Sequence, residues 1–252
     1  HWPVDGLPMP DGIDTYRWRG QNLVVTANEG DGREWGDFND SERVSDLDLC
    51  AAEFPGAKAL QKKDALGRLK VLTDLGYDSE RECHSSLTTL GGRSFSIYTA
   101  DGTRLFDSAG MIEEQIARLV AAGELPEHAF NANNDETPSG DSRSDDKGPE
   151  PESVVVGTIQ GRTYAFVGLE RIGGVVVFDI TDPRNATYVD YVNDRDWDAA
   201  GDDATAGLGD MGAEGLTFVP ADESPSGTAL LIVANEVSGS TTVYEVNPTR
   251  RQ

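Results

Sequence analysis

The sequence predicts an all-β protein, a β-propeller of four-stranded antiparallel blades, and three observations lead there. Short apolar or alternating runs, bounded by Gly and Asp turns, recur along the 252 residues. A strand–turn–strand unit repeats, which is the sequence signature of a propeller. Acidic residues recur at matching positions of that unit, a feature that an immunoglobulin-like sandwich of short strands does not predict.

Three copies align. The first is MPDGIDTYRWRGQNLVVTANEG from Met9, the second EPESVVVGTIQGRTYAFVGLERIGG from Glu150, and the third GAEGLTFVPADESPSGTALLIVANEVSG from Gly212. Each opens on an acid and a small residue: Asp11-Gly12, Glu152-Ser153, Glu214-Gly215. Each second apolar run ends on a glutamate, Glu29, Glu170 or Glu236, at separations of 18, 18 and 22 residues from the opening acid. The longer loop PADESPSG accounts for the third spacing. Third strands follow as VVVFDIT at 175–181 and STTVYEV at 240–246. A fourth copy, GGRSFSIYTADGTRLFDSAG at 91–110, carries Arg93 in place of the opening acid.

This organisation gives about four blades, a partial ring within one domain over 1–252, with polar insertions at 36–67 and 124–150. One helix is expected in GMIEEQIARLVAAG, near 110–123, where Met111, Ile112, Ile116, Leu119 and Val120 fall at helical spacing. A partial ring leaves unpaired strand edges. The N-terminal half of the same precursor, or another chain, is therefore expected to complete it, and the opening HWPVDGLPMP reads as the start of a processed or excised chain.

Composition narrows the partners. The chain has 45 acidic and 21 basic residues, a formal charge of −24, and only five of the basic residues are lysines. Such acidity disfavours nucleic acid and anionic membranes, whose affinity comes from Lys and Arg, and suits cation binding. No apolar stretch approaches the ~20 residues of a transmembrane helix. Two cysteines, Cys50 and Cys83, stand without a CxxC or Cys/His pattern. In a secreted protein a disulfide between them is the expectation, with two free thiols the alternative.

In an up–down hairpin, an acid opening the first strand and one closing the second reach the same end. Asp11, Glu29, Asp31, Glu152, Glu170, Glu214 and Glu236 are thus candidate ligands for one or more Ca²⁺ ions, which take hard oxygen donors from several loops. With only three histidines in the chain, a zinc site has little to draw on. Arg93, Arg171 and Lys147 lie in or beside the same segments and are candidate phosphate-binding cations. No G-x-S-x-G elbow, P-loop or H-E-x-x-H occurs.

The motifs PDGIDTY, VVTANEGDGREW, GGRSFSIYTADG, SDDKGPEPESV, AFVGLERIGG, GAEGLTF and LIVANEVSG resemble, in order, the C-terminal part of the bacterial choice-of-anchor I family. That family is allied to cell-surface glycoproteins of biomineralising animals and to proteins labelled alkaline phosphatases, with a looser similarity to phytase-like propellers. The resemblance implies an extracytoplasmic, calcium-binding propeller. The resulting expectation is a secreted calcium-dependent phosphoesterase acting on a small phosphate ester, with Glu170, Glu236 and Arg93 as catalytic candidates. The alternative is a non-catalytic calcium-binding cell-surface or matrix protein.

Overall fold

In the computed structural model, residues 2–202 and 207–247 are described. The architecture is all-β, built on three principal antiparallel sheets, and among the described residues no sheet closes on itself. The first sheet contains β1 (Ile13–Trp18), β2 (Gln21–Asn28), β3 (Ser94–Thr99) and β4 (Arg104–Asp107), in spatial order β4-β3-β2-β1. The second contains β5 (Pro151–Ile159), β6 (Arg162–Leu169), β7 (Val175–Asp179) and β8 (Thr187–Val192), each paired with the next. The third has three strands, β9 (Ala213–Val219), β10 (Ala229–Asn235) and β11 (Ser240–Val246).

The expected fourth repeat is corrected by this pairing. Residues 91–110 do not start a separate unit: β3 pairs with β2 in register from Ser94↔Asn28 to Thr99↔Leu23 and completes the first sheet. The segment between β2 and β3 is consequently an insertion within one sheet. Arg93 stands in place of an opening acid because it precedes a third strand, not a first.

Local chemistry sets the hairpins. β1–β2 and β5–β6 are each joined by two residues at positive φ, Arg19-Gly20 and Gln160-Gly161. Such turns match the right-handed twist of the flanking strands. The expected helix runs Met111–Ala122 and stops at Gly123, which takes the left-handed conformation with φ of 73°. Its buried Ile112 and Ile116 join the core between the first and second sheets.

That core packs Leu23, Val25, Phe95 and Ile97 against Val167, Val176 and Phe178. The rings of Phe95 and Phe178 stand 4.7 Å apart. A second core, with Phe166, Val175, Leu231 and Val233, joins the second and third sheets. The inserted segment has its own cluster around Val44, Phe54, Leu66, Val71 and Leu87. Cys50 and Cys83 are disulfide-bonded and close a loop within it, which contributes roughly 3–4 kcal/mol in the chain-entropy picture.

The leading strands of the three sheets lie side by side: β5 contacts β1 and β2 on one flank and β9 on the other. The Gly12 amide donates to the Glu152 carbonyl at 2.7 Å, stitching the first sheet to the second. A Cβ on Gly12 would lie 2.5 Å from that same carbonyl oxygen, which belongs to backbone and cannot swing aside. Gly12→Ala is therefore expected to lower stability by about 1–3 kcal/mol through a forced separation of β1 and β5, read from the midpoint of urea unfolding. Gly56→Ala, at φ of −106° with open space around the Cβ, serves as the comparison for conformational effects alone.

Candidate acidic site

The repeated acids occupy equivalent backbone positions. Glu152 and Glu214 each sit at a register shift, between Pro151 and Ser153 and between Ala213 and Gly215. In the first sheet, the Asp11 amide donates to the Ala27 carbonyl while the Ala27 amide donates to the Gly12 carbonyl, so two residues again oppose one. A bulge of this kind re-aims the extra side chain out of the strand alternation. Glu29, Glu170 and Glu236 directly follow β2, β6 and β10. The three pairs thus come to the same end of three neighbouring hairpins.

Their fields overlap. The Glu152 carboxyl is pushed up to about 8, by burial first and then by Glu170, Glu29, Glu214 and Asp11. Its Oε2 is buried and has no hydrogen-bond partner among the described residues. Glu170 is raised to about 7 by burial, with Arg171 opposing and Glu150 adding to the rise. Glu29 is raised by burial despite its bond to Lys147. Glu214 is raised by burial and by Glu236 and Asp11. Asp31 is exposed and stands 3.6 Å from Lys147 Nζ, at the margin.

The centre of the charged network is a residue that the repeat pattern did not single out. Glu150 is fully buried, and its carboxylate accepts from Arg143 Nη2 at 2.6 Å and lies 2.9 Å from Lys147 Nζ and 3.2 Å from Arg171 Nε. Burial opposes its ionisation, but Lys147, Arg171 and Arg143 outweigh it and hold the carboxyl at about 2. Oxygens of Glu29, Glu150 and Glu170 lie within 4.8 Å of one another. Buried Asn134 braces this group, donating to Glu170 Oε1 at 3.1 Å and accepting from Arg171 Nη1 at 2.8 Å. A local signal for Glu150 is present in the sequence, since Lys147 and Glu150 stand three apart in DDKGPEPE, but the acid that repeats at the opening position is Glu152.

The candidate phosphate-binding cations divide. Lys147 is buried between Glu29 and Glu150, and Arg171 is shared among Glu150, Glu170 and Asn134. Arg93 turns elsewhere: its guanidinium donates to the Ser144 and Asp146 carbonyls, at 2.8 and 2.6 Å, and to Glu113. The site therefore has two parts. Around Glu150 the carboxylates are matched by cations; around Glu152, Glu214, Asp11 and Glu236 no Lys or Arg forms an ion pair among the described residues. Hard carboxylate oxygens with one orphaned buried atom are a donor set that fits Ca²⁺.

The choice-of-anchor I domain matches this sequence over residues 1–183. The chain is 29% identical over 195 residues to Gigasin-3a of Magallana gigas, an alignment covering 75% of this chain and 67% of that protein. It is 30% identical over 217 residues to the mesenchyme-specific cell surface glycoprotein of Strongylocentrotus purpuratus, covering 74% of this chain and 27% of that one.

A pH dependence follows. Glu152 and Glu170 are raised above their ordinary 4.5, to about 8 and about 7. The folded chain then holds protons that the unfolded chain has released, so stability falls as pH rises from the mid-fours through 8. Glu150 acts oppositely: its contribution is present above 4.5 and is lost as pH falls towards 2. In EDTA, the melting temperature is expected to drop by a few degrees between pH 6 and pH 9, and Glu152→Gln should remove much of that drop. An unchanged slope in the variant would contradict the mutual repulsion described.

Proposed function

The chain belongs to the choice-of-anchor I family, and from that premise we propose that it is a calcium-binding module of an extracytoplasmic, cell-surface-type protein. The disulfide agrees with an oxidising compartment, and among the described residues no helix is long and apolar enough to cross a membrane. In this reading the three sheets are consecutive blades of a β-propeller, and Asp11, Glu152, Glu214 and Glu236 hold the cation on the rim of its channel, with Glu29 and Glu170 beside them. The side-by-side arrangement of β1, β5 and β9 supports the propeller.

One observation carries the cation reading: Glu152 is kept near Glu170, Glu29, Glu214 and Asp11, with its Oε2 buried and without a hydrogen-bond partner among the described residues. Like charges held together by a fold persist when a counter-ion compensates them. A bound calcium ion supplies that compensation and, towards an oxyanion, Lewis acidity. Ca²⁺ is expected to raise the melting temperature at pH 8, with EGTA reversing the gain. Glu152→Gln and Glu236→Gln should each abolish most of the rise. A calcium-independent melting temperature in the unsubstituted protein would overturn the reading.

A second reading, hydrolysis of small phosphate esters, draws on a different feature. Glu170, raised to about 7 and 3.3 Å from Arg171 Nε, with Lys147 paired to the adjoining Glu29 and Glu150, combines a proton carrier near neutrality with cationic neighbours. The commitment of both cations to Glu150 weighs against it. p-Nitrophenyl phosphate and a phosphodiester analogue, each assayed with Ca²⁺ and with EGTA, separate the two. The non-catalytic reading expects no calcium-dependent turnover, whereas turnover lost in Glu170→Gln favours the hydrolase.

A further inference from the structure

Against a net charge of −24, one segment is strongly basic. Residues 58–70, KALQKKDALGRLK, contain Lys58, Lys62, Lys63, Arg68 and Lys70 with Asp64 as the only acid, and so hold four of the five lysines of the chain. The segment belongs to the insertion between β2 and β3, and the acidic rim does not use it. Its residues 61–64, 67 and 68 line a cleft of ≈ 890 Å³ together with Arg43, Ser45, Ser142 and Asp145. Such a volume is within the range of ordinary ligand sites.

The cleft is preformed and positively charged. Asp145, a half-buried carboxylate, is already matched by two guanidiniums, Arg43 at 2.9 Å and Arg68 at 3.1 Å. Lys62 and Lys63 are exposed and have no ion pair among the described residues. Their backbone is fixed from several sides. Gln61 Nε2 donates to the Val44 and Leu47 carbonyls at 3.0 and 2.7 Å. The Gly67 amide donates to the Lys62 carbonyl at 2.9 Å, and Leu66 and Leu69 anchor the turn in the core of the insertion. A Cβ on Gly67 would lie 2.3 Å from the Gln61 carbonyl oxygen, so the tight turn presenting the two lysines requires glycine. A preorganised cation pair loses less freedom on binding than two mobile ones.

A second cavity of ≈ 520 Å³ adjoins the first through Lys63, Asp64, Arg68 and Asp145 and extends to Trp2 and Phe130. Its further lining by Arg93, Glu113 and Asp141 leaves it without the first cleft's positive excess, so the sulfates belong to the first cleft and the uncharged sugar face to the second. Trp2 is 55% exposed. The two cavities together present free ammonium groups, hydroxyl and amide groups, and an aromatic wall along one path. We propose that this path binds a sulfated polysaccharide strand. Its sulfates would meet Lys62, Lys63 and the outer faces of Arg43 and Arg68, its hydroxyls Ser45, Gln61 and Ser142, and a sugar face would stack on Trp2. A duplex nucleic acid or an anionic membrane presents a broad anionic surface that the acidic remainder of the chain repels; a single flexible strand confines its charge to the cleft.

The test uses the full chain and immobilised heparin as probe, over a salt series from about 50 to 200 mM. Retention at low salt is expected, with Lys62→Gln/Lys63→Gln binding about tenfold more weakly and with a salt slope shallower by about two. Lys62→Arg/Lys63→Arg should keep the affinity, and so should Arg17→Gln/Arg118→Gln, which removes two exposed cations elsewhere. Thermal melts of each variant report that the fold is retained. The proposal is overturned if heparin is not retained at low salt, or if the glutamine pair binds like the parent. It is equally overturned if duplex DNA or phosphatidylserine vesicles bind as tightly as heparin.

Discussion

The carboxylate of Glu150 is the interaction on which the rest of the site depends. It is the only fully buried acid among the described residues, and burying an ion is tolerated only when partners replace its water. Three cations do so: Lys147 and Arg143 from the loop preceding β5, and Arg171 from the turn after β6. Lys147 then reaches Glu29, at the end of β2. One buried ion pair network thus fixes the second sheet against the first and holds Glu29 and Glu170 beside each other. With those two placed, the bulged Glu152 stands in the field of both.

This arrangement gives two carboxylate environments a short distance apart. Glu150 is fixed in its charged form by surrounding cations, whereas Glu152 is biased towards its protonated form by burial and by its acidic neighbours. The difference comes from which strand position each occupies. Glu150 precedes β5 at positive φ, 53°, and turns inward to the loop; Glu152 sits in the bulge two residues later and turns to the rim.

Sequence periodicity made much of this readable. The hairpins, the helix at Met111–Ala122 and the shared end of the paired acids all follow from local patterns, because turns and side-chain alternation are set over a few residues. Strand partnership is not local. The register of β3 on β2 spans a long insertion, and no period within 91–110 distinguishes the third strand of one sheet from the first of another. Glu150 escaped for a related reason: its significance lies in Arg143 and Arg171, seven residues before and twenty-one after it, which meet only when the loop closes on the sheet. The loop-level expectation for Arg93 suffered similarly, since Glu113 comes to it from the helix.

The insertion between β2 and β3 leaves and returns to adjacent strands, at Asn28 and Ser94, which are paired in register and joined by an Asn28–Ser94 side-chain hydrogen bond of 2.9 Å. Its two ends are therefore held at a fixed short span whatever lies between them. Closing a longer excursion across such a span costs only about 0.6 kcal/mol for each doubling of length. The segment also packs around its own apolar cluster and is tied by its own disulfide. A lineage can accordingly rebuild this surface, altering its length and charge, while the carboxylates at the strand ends keep their places.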